Sequence, residues 1–295
     1  MKRHLQSFWL LFLLTTNPAI ADTKNVEVDI GGVKIDVKAP NGFYEISSLS
    51  SETRKIAETM TPPTNRLLAV FVSEEDLGRI VKGESPIFER YIFLQVFRRL
   101  EATTISNTDF QKLITHFKGQ QNILFDENKD MVDSLLEGAT KKMSKEYDFS
   151  LKMKLGENIS LGIFLEQPNA FGAVNLVKYR VNAEGKELDS IVAGGISYVL
   201  TRGKLLYAYV YSVYETQDDV DWVRAKSKEW VNSLLASNET STSDSAQSSS
   251  PITGIDWERI VSKGIVGAVV GGLLALIIGL FRRMKSSFKR DIKNV

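Results

Sequence analysis

Asp126, Asn128, Asp130 and Glu137 stand at the first, third, fifth and twelfth places of one stretch, the positions from which an EF-hand loop offers oxygen ligands to calcium. Met131 departs from that pattern, because it occupies the place of the glycine that makes the loop's sharp turn. Asp133, Glu137 and Lys141 also step by four, as on the solvated face of a helix carrying a Glu-to-Lys pair. The acidic stretch is therefore read as a helix surface with calcium as the lesser alternative, and neither a metal nor a cofactor is expected. Nucleophilic catalysis needs a base beside the nucleophile, and beyond the leader the chain has a single histidine, His116. It lies on the flank of an apolar stripe and is expected to be solvated. No Gly-x-Ser-x-Gly elbow or Walker loop is present. The absence of cysteine excludes thiolate catalysis, disulfides, Cys-ligated zinc and iron–sulfur clusters.

Two rows of residues have spacing suited to recognition. Tyr207, Tyr209 and Tyr211 alternate along a strand and must share a face, where they form either a binding surface or a layer packed beneath a helix over Trp222–Leu235. Gly267, Gly271, Ala275 and Gly279 recur every four residues in an apolar run, with Gly264, Ala268 and Gly272 as a parallel row. Small residues at that spacing let two membrane helices approach closely, which implies self-association through this segment.

The elements that carry these residues follow from periodicity. Val26, Val28 and Ile30, the Gly31-Gly32 turn, then Val33, Ile35 and Val37 make a β-hairpin. A helix over about Glu52–Met60 ends at Pro62-Pro63, and Leu67–Val72 and Tyr91–Val96 read as buried strands. Ser73 caps a short helix with Leu77, Ile80 and Val81 on its apolar face, stopped at Gly83. Phe110, Leu113, Ile114 and Phe117 form one stripe of a helix capped by Ser106, and Val132, Leu136, Ala139 and Met143 another over Asp130–Glu146. From Phe149 the period becomes two, through Leu151–Leu155, Ile159–Leu165, Val174–Val181, Leu188–Val192, Ser197–Leu200 and Leu205–Tyr214, with turns expected at Gly156, Pro168, Gly185, Gly194-Gly195 and Gly203. A last helix over Asp218–Leu235 sets Val223, Trp230 and Leu234 on one side.

The expected class is α+β, a mainly antiparallel sheet with helices on its faces, plus one C-terminal transmembrane helix. The element order over Asp22–Leu235, an opening hairpin and a late meander closed by a Trp-bearing helix, resembles the Mog1/PsbP-like sandwich. That resemblance implies a non-enzymatic adaptor.

The two ends place the domain. Lys2 and Arg3 precede the short apolar run Phe8–Leu14, and Ala19-Ile20-Ala21 is the pattern a signal peptidase cuts, so residues 1–21 are read as a signal peptide. Residues 22–236 form the exported domain, and 237–256 a Ser/Thr-rich flexible linker. Trp257 begins an anchor, residues 257–281, whose apolar core Gly264–Phe281 is followed by a basic tail, residues 282–295, that the positive-inside rule keeps in the cytoplasm. The chain's net charge of +1 hides an exported part at −7 once +2 from the leader, +1 from Lys263 and +5 from the tail are set aside. That acidity disfavours nucleic acid. The expected protein is a single-pass bacterial inner-membrane protein with a periplasmic domain, non-catalytic, binding or assembling an unknown envelope component and forming a homodimer through its anchor. The alternative is a membrane-tethered hydrolase of peptidoglycan or peptides.

Overall fold

Period-two alternation sorts the strands' side chains onto the two faces of a seven-stranded antiparallel sheet. The computed structural model describes residues 24–46, 49, 51–84, 86–120, 127–147, 150–239 and 256–272. In chain order the strands are β1 (Asn25–Ile30), β2 (Val33–Lys38), β3 (Phe43–Glu45), β4 (Asn65–Ser73), β5 (Arg90–Phe97), β6 (Leu151–Gln167), β7 (Ala170–Ala183), β8 (Lys186–Thr201) and β9 (Lys204–Val213). The helices are α1 (Ser51–Thr59), α2 (Glu74–Val81), α3 (Asn107–Gln120), α4 (Lys129–Tyr147), α5 (Gln217–Ser237) and α6 (Trp257–Gly271). Strands β1 and β2 pair only with each other, and the main sheet runs β3-β4-β5-β9-β8-β7-β6.

Each face has its own core. Tyr91, Phe93, Tyr207, Tyr209 and Tyr211 point to the side covered by α1, α2, α3, α4 and α6. Ile92, Leu94, Leu206, Ala208 and Val210 point to the side covered by the β1-β2 hairpin and α5. In β4 the alternation slips at a bulge between Leu67 and Ala69, so Leu67 and Val70 share the first face while Leu68 and Ala69 both join the second. On that second face Trp230 of α5 is fully buried, stands edge-on to Phe71 at 5.5 Å and donates its indole N–H to Lys38 O. Asn238 exchanges two hydrogen bonds with the Asp36 backbone and ties the end of α5 to β2.

Most expected elements form, and the stripes on α3 and α4 are buried as their spacing requires. Three expectations change. Leu151–Leu155 and Ile159–Leu165 are one strand, β6, which passes Gly156 without a turn and absorbs its irregular spacing in register shifts against β7. Gly194-Gly195 likewise lies inside β8. No turn is needed there: α5 crosses so closely that a Cβ on Gly195 would sit 2.6 Å from Ser227 Oγ and 2.9 Å from Val223 Cγ1. The tyrosine row is not beneath α5, because its strand register turns it to the opposite face, under α6.

No helix among the described residues is long and apolar enough to cross a membrane. The described part of the expected anchor is α6, with fifteen residues. Residues 1–21, the linker from 240 to 255 and everything after Gly272 lie outside the described residues.

Replacing Gly195 with alanine is expected to cost about 1–3 kcal/mol in denaturant unfolding through overpacking. Adding Ser227→Ala removes the nearest clash and is expected to recover part of that loss; strictly additive costs would show that the two sites do not touch.

Candidate functional site: a tyrosine-lined groove holding a glycine-faced helix

Helix α6 is apolar nearly all round, a composition found in deep cores and in bilayers alike. Here it lies in a trough. Ile260, Val261, Ile265, Val266, Val269 and Val270 are all buried, and the walls come from α3 and α4. Asn128 accepts a hydrogen bond from Ser262 Oγ at 2.5 Å, and Lys263 Nζ lies 2.9 Å from Met131 Sδ, which joins α6 to the start of α4.

The floor is built from tyrosine. Tyr207 donates to Ile260 O at 3.0 Å, Tyr209 to Gly264 O at 3.0 Å, and Tyr211 to Ala268 O at 2.8 Å. From neighbouring strands Tyr198 donates to Val261 O at 3.1 Å, Tyr179 to Val269 O at 2.7 Å and Tyr91 to Gly271 O at 3.1 Å. Steps of two residues on β9 therefore match steps of four on α6. The periods agree physically: two strand residues advance about 6.6–6.8 Å, and four helical residues about 6.0 Å. A helical carbonyl uses one lone pair on its own amide ladder and has a second to accept a phenol, so recognition of the helix backbone leaves the helix intact.

Glycine makes the approach possible. A Cβ added at Gly264 would lie 2.6 Å from Tyr198 Oη, at Gly271 2.5 Å from Tyr211 Oη and at Gly272 2.6 Å from Tyr179 Oη. One added at Gly267 would strike Tyr209 Oη and come within 3.0 Å of Asn65 Nδ2. Asn65 and Gln95 are bonded to each other at 3.0 Å, a buried polar pair beneath that glycine. Burial pushes the phenols of Tyr179, Tyr198, Tyr207, Tyr209 and Tyr211 well above their ordinary range. At neutral pH they are hydrogen-bond donors and not bases.

The residues singled out by spacing have these positions. Tyr207, Tyr209 and Tyr211 are together on the groove floor, at 1 % exposure or less. Gly267 and Gly271 face them, while Ala275 and Gly279 lie outside the described residues. Among the described residues the calcium candidates form no metal-binding group. Asp126 lies outside the described residues, Asn128 is turned to Ser262, and Asp130 and Glu137 sit two turns apart on one helix, about 10 Å along its axis. No group of three or more His, Cys, Asp or Glu among the described residues could hold a metal ion. His116, expected in solvent, is half-buried, and its Nε2 is enclosed without a hydrogen-bond partner among the described residues.

Spacing alone missed Tyr91, Tyr179 and Tyr198, which the sheet collects from three other strands, and the pair Asn65–Gln95. Gln95 carried a signal: a lone amide within the apolar run Tyr91–Val96 demands a buried partner. Beside α6 lies a cleft of about 620 Å³ whose lining includes Arg54, Glu58, Arg66, Arg98, Lys142 and Val270. Its cations are partly engaged: Arg54 with Glu58, and Arg66 with Glu101.

The chain matches no family model and no curated protein. Among solved structures it is similar to a point mutant of the protein Mog1, at 14 % identity and a TM-score of 0.30, covering 72 % of this chain and 94 % of that one. The Saccharomyces cerevisiae Ran-binding protein Mog1p aligns at 13 % identity and a TM-score of 0.28, over 73 % and 94 % of the two chains. A cyanobacterial PsbP from Synechocystis aligns at 12 % identity and 0.27, over 76 % and 96 %. The neighbours are thus Mog1 and PsbP-like structures, and at these TM-scores they assign neither a partner nor an activity to this chain.

Each groove hydroxyl is expected to contribute about 1 kcal/mol, so Tyr209→Phe lowers unfolding free energy by that amount and Gly267→Leu by about 1–3 kcal/mol or more through overpacking. A Tyr209→Phe protein as stable as wild type would deny the contact its role. For the chain in aqueous buffer without membrane, where α6 fills the groove, alkaline titration followed by phenolate absorbance is expected to leave five of the nine tyrosines protonated where a free phenol ionises, near pH 10. Because these phenols favour the protonated form when folded, their share of stability is complete below about pH 10 and is lost as pH rises through their folded values. All nine ionising together near pH 10 without unfolding would contradict the burial.

Proposed function

We propose that this chain is a single-pass inner-membrane protein whose periplasmic domain is a non-catalytic binding or assembly module, and that the element it is built to hold is a helix. The observation that carries the reading is the convergence of six tyrosine hydroxyls on the backbone carbonyls of one glycine-faced helix. That chemistry recognises shape and backbone and leaves every covalent bond in place. Export and anchoring rest on the leader ending at Ala21, on the apolar run Gly264–Phe281 and on the basic tail. Gly267 and Gly271 serve both the groove and the proposed homodimer seam, so either use of that face excludes the other.

Topology reporters test the placement. Alkaline phosphatase inserted between residues 241 and 250 of the full chain is expected to be active in a bacterial host, and the same enzyme fused after Val295 inactive, with the product resisting carbonate extraction. Phosphatase active at both sites, or a product released by carbonate, would refute a spanning anchor with a cytoplasmic tail.

A further inference from the structure

We propose that in the anchored protein the tyrosine groove is open and is a docking site for an apolar helix of an exported partner, one with glycine at three- and four-residue spacing along one face. The inference rests on the anchored reading above and names the class of partner. Two uses of one segment conflict. With Trp257–Gly271 seated in the groove, the apolar sequence left before Arg282 is Leu273–Phe281. Even as a helix those nine residues would reach only about 14 Å, against a hydrocarbon core of about 30 Å. A chain that spans the membrane with Gly264–Phe281 therefore cannot also fill its own groove.

Spanning leaves behind a trough whose selectivity is visible in its present occupant. Six phenols ask for helical carbonyls, and the contacts at Gly264, Gly267, Gly271 and Gly272 exclude side chains along the facing stripe. The flanking walls take Val and Ile on the remaining faces. A second copy of α6 meets these demands only while it is itself outside the bilayer. For a fully anchored population the occupant must come from another exported chain.

The absence of cysteine makes the groove directly observable, since one introduced thiol is unique. Ile196 is buried on β8 and lines the same small space as Ile265, Ala268 and Val269 of α6. The full-length Ile196→Cys protein is reconstituted into phosphatidylethanolamine–phosphatidylglycerol vesicles, and the carbonate-resistant fraction is treated with a water-soluble maleimide. The probe is a synthetic peptide of residues 256–272, with a control peptide carrying leucine at 264, 267 and 271. Fast labelling, slowed at least tenfold by the first peptide and unaffected by the control, is the expected result. Slow labelling without peptide would mean that the spanning protein keeps its groove closed, and fast labelling that neither peptide slows, or that both slow alike, would mean that the groove does not select such helices. Either overturns the inference and leaves the anchor standing. Loss of any carbonate-resistant fraction overturns the anchored reading first and the inference with it. The unsubstituted protein supplies a check independent of the variant's folding: in vesicles its groove phenols are expected to ionise near pH 10, as free phenols do, until the first peptide is added, and phenols that resist ionisation without it would overturn the inference.

Discussion

The contact between a phenol hydroxyl and a helical carbonyl, repeated along α6, is the constraint on which this face of the molecule depends. A hydroxyl reaches a carbonyl inside a helix only where no side chain stands between them, so α6 must present glycine at 264, 267 and 271, with Gly272 following at its end. The donors must recur at the helix's own interval, so β9 carries tyrosine at the three alternate positions 207, 209 and 211. Tyr91, Tyr179 and Tyr198 widen the row across three more strands, and Tyr91 stacks on Tyr211 at 4.8 Å. Helices α3 and α4 then serve as walls, and Asn128 and Met131 meet α6 where α4 begins. Removing α6 would expose a belt of aromatic rings and the hydroxyls that now donate to its carbonyls.

The opposite face is closed by different means. Helix α5 follows β9 directly, caps itself through Thr216 and Asp219, and buries Trp230 against Phe71. Burial alone would raise the Asp219 carboxyl, but the backbone N–H groups of Glu215 and Thr216, with Arg90 and Ser212, outweigh it and hold the group below the usual carboxylate range. Gly195 is needed because Ser227 and Val223 lie against β8. That face is sealed by α5 and the β1-β2 hairpin. The α6 face is sealed by a segment that the proposed anchor would also use.

What could be read from the chain beforehand divides along the same line. The stripe Phe110, Leu113, Ile114 and Phe117 was legible because helix period and burial agree locally, and Ser73 and Gly83 marked the ends of α2 through capping and positive φ. The tyrosine row and the glycine row were each visible as faces. Their meeting was not, because each has a sufficient explanation alone: alternating tyrosines fit beneath any helix, and glycine at four-residue spacing fits a membrane dimer. Only the strand register, which turns Tyr209 away from α5, brings them together. Gly194-Gly195 misled for a related reason, since a glycine pair marks a turn unless another element crosses there, and that crossing is a tertiary fact.

The central claim is that the groove recognises the glycine face of α6. Hydrogen exchange of the full-length chain in aqueous buffer without membrane tests it most directly. If the claim holds, the amides of α6 exchange as slowly as those of β8 and β9, and Gly267→Leu releases α6 while leaving the β6-β7-β8-β9 meander protected. Rapid exchange of α6 beside a protected β9 in the unsubstituted chain would contradict it.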